Sequence, residues 1–307
     1  MGCVMRLNLH LTRIFFTVAT SGSFSRGAEL LHISQSAASK AVRELEGQLG
    51  LALIERGGAR AKSGLRLTEA GRALYEHARG IFALERAALD DLGARTGIKK
   101  GALTVGASTT VAGYWLPTHL AMYANRFPDI ELQMVVGNTA AISQGLLDCE
   151  VDIAVVEGGV TDPGVSSLHW REESLVLVTG PETPLAGVDA VDSVTLSAAR
   201  WLVREPGSGT REVTERLMQA EGVQWNHLIE VGSNEGIARS VSQGLGVAML
   251  PAVVVQDLLA LGRLATMNIG GAKSFRRPLY LLKRAQRPLS PAARAFSSML
   301  QEHETPL

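Results

Sequence analysis

Cysteine is nearly absent from this chain: two residues in 307, Cys3 and Cys149. Two thiols cannot build a disulfide framework or a cysteine-based zinc site, and Cys149, set among apolar neighbours, reads as packing. Long apolar runs are missing too. Nowhere do about 18 uncharged apolar residues follow one another, so no bilayer-spanning helix is expected. Met1 to Leu9 carry one arginine and no run suited to an export signal, and we expect a cytoplasmic protein with no membrane partner. The histidines at positions 10, 32, 77, 119, 169, 227 and 303 are scattered. No HExxH, GxxxxGK[ST] or GxSxG pattern occurs, and Gly232-Ser233-Asn234-Glu235-Gly236 is not a dinucleotide fingerprint. No catalytic residue, metal or cofactor is therefore expected.

Net charge is also lacking, with 30 Lys and Arg against 30 Asp and Glu. The zero hides an asymmetry. Met1 to Arg72 holds ten cations and five acids, so the rest of the chain carries the compensating acidic excess. Phosphate attraction is needed only where a duplex lies, and a basic module on a mildly acidic body fits a DNA reader with a separate sensor. The remaining composition, 46% hydrophobic and 20% charged, is that of an ordinary globular chain with two or three domains.

Leu11, Ile14, Phe15 and Val18 have helical spacing, and Ser21-Gly22-Ser23 breaks it. A short helix from Ser25 to Leu31 and a turn at His32-Ile33 follow. Ser34 is then placed to cap a third helix from Gln35 to about Leu49. Three helices in so short a span suggest a helix-turn-helix. In the third, Ala38, Val42, Leu45 and Leu49 would face the core, leaving Gln35, Ser36, Ser39, Lys40 and Arg43 on the other side. Such side chains reach base edges or phosphates in a major groove, although any amphipathic helix has a polar face. Gly57 to Arg66 then reads as a basic β-hairpin wing. It would bring Arg56, Arg60, Lys62 and Arg66 near the DNA backbone or minor groove, the alternative being a solvated loop. Thr68 can cap a helix to about Arg95 in which Tyr75, Ala78, Phe82, Glu85, Leu89 and Leu92 form a heptad-like seam. That seam could join two subunits or pack on its own domain.

Ser23-Phe24, Gly27-Ala28, Leu31, Ser34-Gln35-Ser36-Ala37-Ala38-Ser39, Leu45-Glu46, Leu49-Gly50, Arg56 and Leu67-Thr68-Glu69-Ala70-Gly71 resemble the DNA-binding pattern of LysR-type transcriptional regulators. The resemblance implies that Gln35, Ser36, Ser39, Lys40 and Arg43 are recognition-helix residues and that Arg56 stands at the base of the wing. It also implies that residues 68 to 96 are a linker helix pairing two subunits. There are two departures: Ile54 replaces the usual phenylalanine, and Arg56 to Leu67 is longer than usual.

After a hinge at Thr96 to Gly101 the pattern alternates between apolar strands and helices. Strands are expected at 102–107, 130–136, 153–156, 174–179, 201–204, 229–231, 247–250 and 279–282. This βα alternation argues for parallel-rich sheets with helical crossovers. We expect a winged helix-turn-helix over 8–67, the linker helix over 68–96 and an α/β effector domain over 98–303. Its lobes would be 98–178 with 279–303, and 179–278. Gly106-Ala107-Ser108, Leu116-Pro117, Phe127-Pro128, Asp152-Ile153-Ala154 and Gly244 to Pro251 extend the LysR resemblance through this domain, which implies two lobes like those of type 2 periplasmic binding proteins.

Ligands of open α/β sheets gather at the carboxyl ends of strands, where helix N-termini offer donors. The loops there hold Ser108-Thr109-Thr110, Asn138-Thr139, Arg204 with Ser208-Gly209-Thr210, and Ser233-Asn234, a set suited to a small anion or carboxylate. Helix capping alone would also select Ser108, Thr139 and Ser233. Arg204 and Arg211 could pair with a ligand or with the neighbouring Glu205 and Glu212. The resulting expectation is a regulator that binds double-stranded promoter DNA as a homodimer or homotetramer and responds to a small effector, with RNA polymerase as a further candidate partner. A solute-binding transport protein and an architectural DNA-binding protein are the alternatives, and each lacks one half of these features.

Overall fold

The computed structural model describes residues 6–55, 65–95, 101–270 and 275–302. Its contacts divide the chain into two units, Met1–Leu89 and Asp90–Leu307. Arg56, Arg60, Lys62, Cys3 and positions 96–100 of the hinge lie outside the described residues.

In the first unit, α1 (Leu9–Ser21), α2 (Phe24–Leu30) and α3 (Gln35–Leu49) each begin at a polar cap. Asn8 accepts from the backbone N–H groups of His10 and Leu11, Ser23 from Arg26, and Ser34 from Ala37. The three helices close on a core containing Phe15, Val18, Ala28, Ala38, Val42, Leu45, Leu53 and Ile54. Ile54 is thus a core residue. It bridges Leu67 in antiparallel fashion, and the Glu55 N–H donates to the Arg66 carbonyl at 2.9 Å, forming the base of a hairpin.

Thr68 starts α4 (Glu69–Arg95), its Oγ1 accepting from the Gly71 N–H at 2.9 Å and donating to the Ala52 carbonyl at 2.6 Å. A Cβ on Gly71 would stand 1.9 Å from the Leu53 carbonyl oxygen, so only glycine lets the helix start against that strand. The expected seam divides. Phe16 of α1 stacks on Tyr75 at 5.1 Å and meets Phe82 at 5.5 Å, while Arg13 pairs with Glu85. The first half of the seam is therefore packed on its own unit, whereas Leu84, Leu89 and Leu92 are exposed.

The second unit runs β1 (Gly101–Ser108), a π-helical turn (Val111–Trp115), α5 (Leu116–Arg126), β2 (Ile130–Gly137), α6 (Thr139–Leu147), β3 (Ile153–Glu157) and β4 (Val165–Thr179). It continues with α7 (Ser193–Ala198), β5 (Arg200–Val203), α8 (Gly209–Ala220), β6 (His227–Glu230), α9 (Asn234–Ser242) and β7 (Val247–Pro251). The last elements are α10 (Ala252–Ala260), β8 (Ala265–Met267), β9 (Phe275–Arg284) and α11 (Pro291–Glu302). The strands form one sheet in the order β2-β1-β3-β9-β4-β7-β5-β6, with β8 beside β4. β1, β2 and β3 are mutually parallel, as are β5, β6 and β7.

β4 and β9 are antiparallel and join the two parallel groups. Both are longer than the sequence pattern suggests, because each crosses from one group to the other and its residues face two different cores. At the amino-terminal end of β4, Val165 and Trp170 are buried in the cores around β1 and β3; at its carboxyl end, Leu175 and Leu177 pack with Trp201, Val203 and Met249. Inside the edge strands β2 and β6, each half of the sheet is covered on both faces, which is why its inner strands read as nearly continuous apolar runs. Tyr123 of α5 is buried in the first half and donates its hydroxyl to the Ala292 carbonyl at 3.0 Å; desolvation pushes its pKa up to about 12.

Candidate functional site

Two places in the molecule collect exposed or unusual polar groups. The first is the outer face of α3. Ala38, Ala41, Val42, Leu45 and Glu46 are buried, while Gln35, Ser36, Lys40 and Arg43 are exposed and Ser39 is half-buried. Arg43 donates through Nε to the Ser39 carbonyl at 3.2 Å, and Ser36 and Ser34 hydroxyls lie 2.9 Å apart. The helix is held against the hairpin base by Glu46, whose Oε1 accepts from the Leu53 and Ile54 N–H groups at 2.9 and 3.3 Å. Exposed Arg66 accepts the Glu55 N–H on its carbonyl next to the Ile54–Leu67 bridge. The result is a helix with a rigid inner face and an outward row of short polar and cationic groups, the chemistry that reads base edges and phosphates.

The second place is where the two halves of the large sheet meet. Ser108 ends β1, and its hydroxyl donates to the carboxylate of Glu157, which ends β3. Thr210 in the first turn of α8 touches the same carboxylate at 3.3 Å and accepts from Arg277 Nη1 at 2.7 Å. Arg277 and Glu173 are register partners on β9 and β4. They form a fully buried ion pair, with Nε 2.6 Å from Oε2; Nη2, though 2.5 Å away, is not aligned for a hydrogen bond. The Trp115 indole donates to the other Glu173 oxygen at 2.6 Å. The π-helical turn, an irregularity found often at functional sites, places that indole.

Further polar groups close the junction from both sides. Asn234 donates to Thr110 Oγ1 at 2.8 Å and to Thr210 Oγ1 at 3.3 Å. Arg204 donates to Thr109 Oγ1 at 3.1 Å and grips Glu205 with Nε and Nη2 at 2.8 and 2.9 Å. The Asn138 amide reaches Glu205 at 3.2 Å, and the Ala140 N–H donates to the Gly207 carbonyl at 3.0 Å. Burial, the largest single influence on Glu205, pushes its pKa up, but the hydrogen bonds and charge of Arg204, its own backbone N–H and Asn138 together hold it below the ordinary carboxylate value. A Cβ on Gly209 would lie 2.2 Å from the Glu157 carbonyl oxygen, so the start of α8 approaches β3 as only glycine allows. A cavity of about 10 Å³ beside Arg204 and Thr210 has room for roughly one water.

The structure thus brings Ser108, Thr110, Thr210 and Asn234 into one network around Glu157, and Thr109, Arg204 and Asn138 into a second around Glu205. Asn138 is also the cap of α6; Thr139 donates to the Glu157 carbonyl at 2.9 Å. Ser233 stands apart as the cap of α9, accepting from Gly236, so capping accounts for it and does not account for Ser108 or Thr139. Ser208, at the N-cap of α8, caps nothing: its buried hydroxyl has no hydrogen-bond partner among the described residues. Arg211 pairs with Glu230 at 2.9 Å rather than with Glu212, because Glu230 ends the adjacent parallel strand β6. Glu157, Glu173, Arg277 and Trp115 escaped the sequence reading. The carboxyl end of β3 obeys the same strand-end rule that selected the other loops and could have revealed Glu157. Nothing local marks the Glu173–Arg277 pair, which arises from strand register.

Among the described residues no group of three or more His, Cys, Asp or Glu side chains could hold a metal ion, and no helix is long and apolar enough to cross a membrane.

Residues 9–72 match the bacterial regulatory helix-turn-helix protein, lysR family, and residues 97–305 match the LysR substrate binding domain. The chain is 35% identical over 292 residues to the uncharacterized HTH-type transcriptional regulator YeiE of Escherichia coli strain K12, covering 95% of this chain and 96% of that protein. It is 33% identical to the RuBisCO operon transcriptional regulator of Allochromatium vinosum, covering 95% of each. Its fold is similar to full-length CbnR complexed with target DNA, at a TM-score of 0.64 and 22% identity over 96% of this chain and 99% of that one. It is also similar to the regulatory domain of Synechocystis PCC6803 CcmR in complex with 2-PG, at a TM-score of 0.61 and 24% identity over 68% of this chain and 100% of that one. A basic helix-turn-helix joined to a two-part α/β sensor, matched over nearly its whole length, places this chain in the LysR family of transcriptional regulators, DNA-binding proteins that are not enzymes.

Proposed function

We propose that this regulator reads promoter DNA through Gln35, Ser36, Ser39, Lys40 and Arg43 in the major groove, with Arg56, Arg60, Lys62 and Arg66 on the flanking backbone or minor groove. It does so as a dimer or a dimer of dimers. The exposed leucines of α4 and the exposed Met134, Val135 and Val136 on edge strand β2 support self-association, since exposed apolar rows invite pairing. The effector is a small anion or carboxylate bound at the junction of the two sheet halves by Ser108, Thr109, Thr110, Asn138, Thr139, Arg204, Ser208, Gly209, Thr210, Asn234 and the neighbouring Ser233.

The observation that carries the sensor reading is Ser208. A buried hydroxyl left without a partner is costly, and this one stands at the amino end of the 12-residue helix α8, two residues before Thr210 of the junction network. CcmR, whose domain is bound to 2-PG, has the same fold. An effector that favours one arrangement of the halves shifts the population of DNA-bound states and alters DNA bending, by no more than its difference in affinity for those states. The test is binding of the full-length protein to DNA upstream of its own gene, titrated with salt and repeated with a panel of small anions and carboxylates. Specific binding shifted by one compound supports the reading; binding indifferent to every compound removes its sensor half.

A further inference from the structure

Two of the donors assigned above to an anionic effector, Ser108 and Thr210, already hold a carboxylate, and it belongs to the chain. Ser108 Oγ, Thr210 Oγ1 and, at 3.7 Å, Arg277 Nη1 all converge on the Glu157 carboxylate, and all four residues are buried. We propose that Glu157 is the specificity-determining residue of the effector site: its carboxylate occupies the place an effector's anionic group would take, and an anion binds only by displacing it from Ser108 and Thr210. The proposal rests on the anionic-effector reading.

Three features single out Glu157 as the group that yields. Its backbone is pinned, since it pairs with Leu279 on β9, accepts from Thr139 on its carbonyl and stands against Gly209. Displacement is thus a side-chain rotation and needs no movement of the strand. Its hold on Arg277 is looser than that of Glu173, 3.7 Å against 2.5 Å, so Glu173 keeps the cation when the two compete. The junction also already holds one carboxylate more than its arginines balance: Glu157 and Glu173 face Arg277, while Arg204 is committed to Glu205. A second carboxylate entering beside an ionised Glu157 meets like-charge repulsion with little solvent to screen it, which a neutral ligand would not.

The experiment titrates the full-length protein and its Glu157→Gln variant by calorimetry with sodium succinate, sulfate and phosphate, and with uncharged succinamide, at constant ionic strength. Glutamine retains an oxygen for the two hydroxyls and removes the charge. At least one charged probe is expected to bind the variant about tenfold more tightly, with succinamide binding unchanged. Adding Ser108→Ala to the variant is expected to reverse much of that gain. Should Glu157→Gln lose its cooperative thermal transition, Glu157→Asp, one methylene shorter, is expected to show a smaller gain of the same sign. Equal anion affinity in wild type and variants overturns the role of Glu157 and leaves the anionic-effector reading standing; no anion binding by any of them overturns both.

Discussion

Asn234, the first residue of α9, donates its amide across the sheet junction to Thr110 Oγ1 at 2.8 Å, just beyond the end of β1. The same amide touches Thr210. One buried side chain therefore joins its own segment to two others, 124 and 24 residues distant from it in sequence. Replacing Asn234 by alanine should leave the threonine hydroxyls short of a partner and cost about 1–3 kcal/mol in denaturant unfolding. A double-mutant cycle with Thr110→Ala should show coupling, and simple additivity would mean the bond contributes little.

Gln35→Ala and Ser39→Ala should weaken binding to the specific operator by about 1–3 kcal/mol each while barely changing binding to unrelated DNA. Arg60→Ala should weaken both alike and lower the salt dependence of binding by about one ion. Equal losses on both DNAs for the α3 variants would sink their assignment to base reading.

Glu46 accepts the backbone N–H groups of Leu53 and Ile54, two residues of the first unit's core. Glu46→Ala should cost about 1–3 kcal/mol in thermal unfolding, because both donors remain buried. DNA affinity should fall with it, since the hairpin base loses its fixed position beside α3. Glu46→Gln, which retains an acceptor oxygen, should recover part of the loss.

Arg277→Met removes the cation from two buried carboxylates. Breaking a buried pair from one side typically costs about 3–5 kcal/mol, most of it from the charge left alone. Adding Glu173→Gln to the same protein should restore a good part of that stability, as read from denaturant midpoints.

Glu205 titrates below its ordinary value of 4.5 in the folded protein. A carboxylate whose folded pKa is depressed contributes stability that is fully present above the unfolded value and disappears as pH falls through the folded one. Stability should accordingly decline as pH drops below about 4.5, in part through Glu205. Glu205→Gln should flatten that part of the acid-unfolding curve, and an unchanged slope would show that other carboxylates govern it.

The first unit was the more legible in sequence. Asn8, Ser23, Ser34 and Thr68 announce four helix starts because capping is a local contract between a side chain and the backbone two or three residues on. The inner face of α3 follows from spacing alone. The seam of α4 was legible as a pattern and ambiguous in its partner: Tyr75 and Phe82 lie on the same helical stripe as Leu89, yet they pack on Phe16 while Leu89 is exposed. In the second unit the short parallel strands were visible as apolar runs. The amino-terminal half of β4 was not, because Ser166, Ser167, His169, Glu172 and Glu173 interrupt the apolar pattern that marks a strand covered on both faces.

By itself the sequence determined the family, the order of the elements, the polar face of α3 and the hydroxyl-bearing loops at the strand ends, since each depends on residues close together in the chain. The tertiary structure alone decided what those hydroxyls meet. Glu157, Glu173 and Arg277 come from three strands, and their meeting depends on the register of β4 against β9 and on β9 lying between β3 and β4. Register shifts of a single residue would turn those charges to the opposite face, and no local pattern records which register the packed sheet adopts.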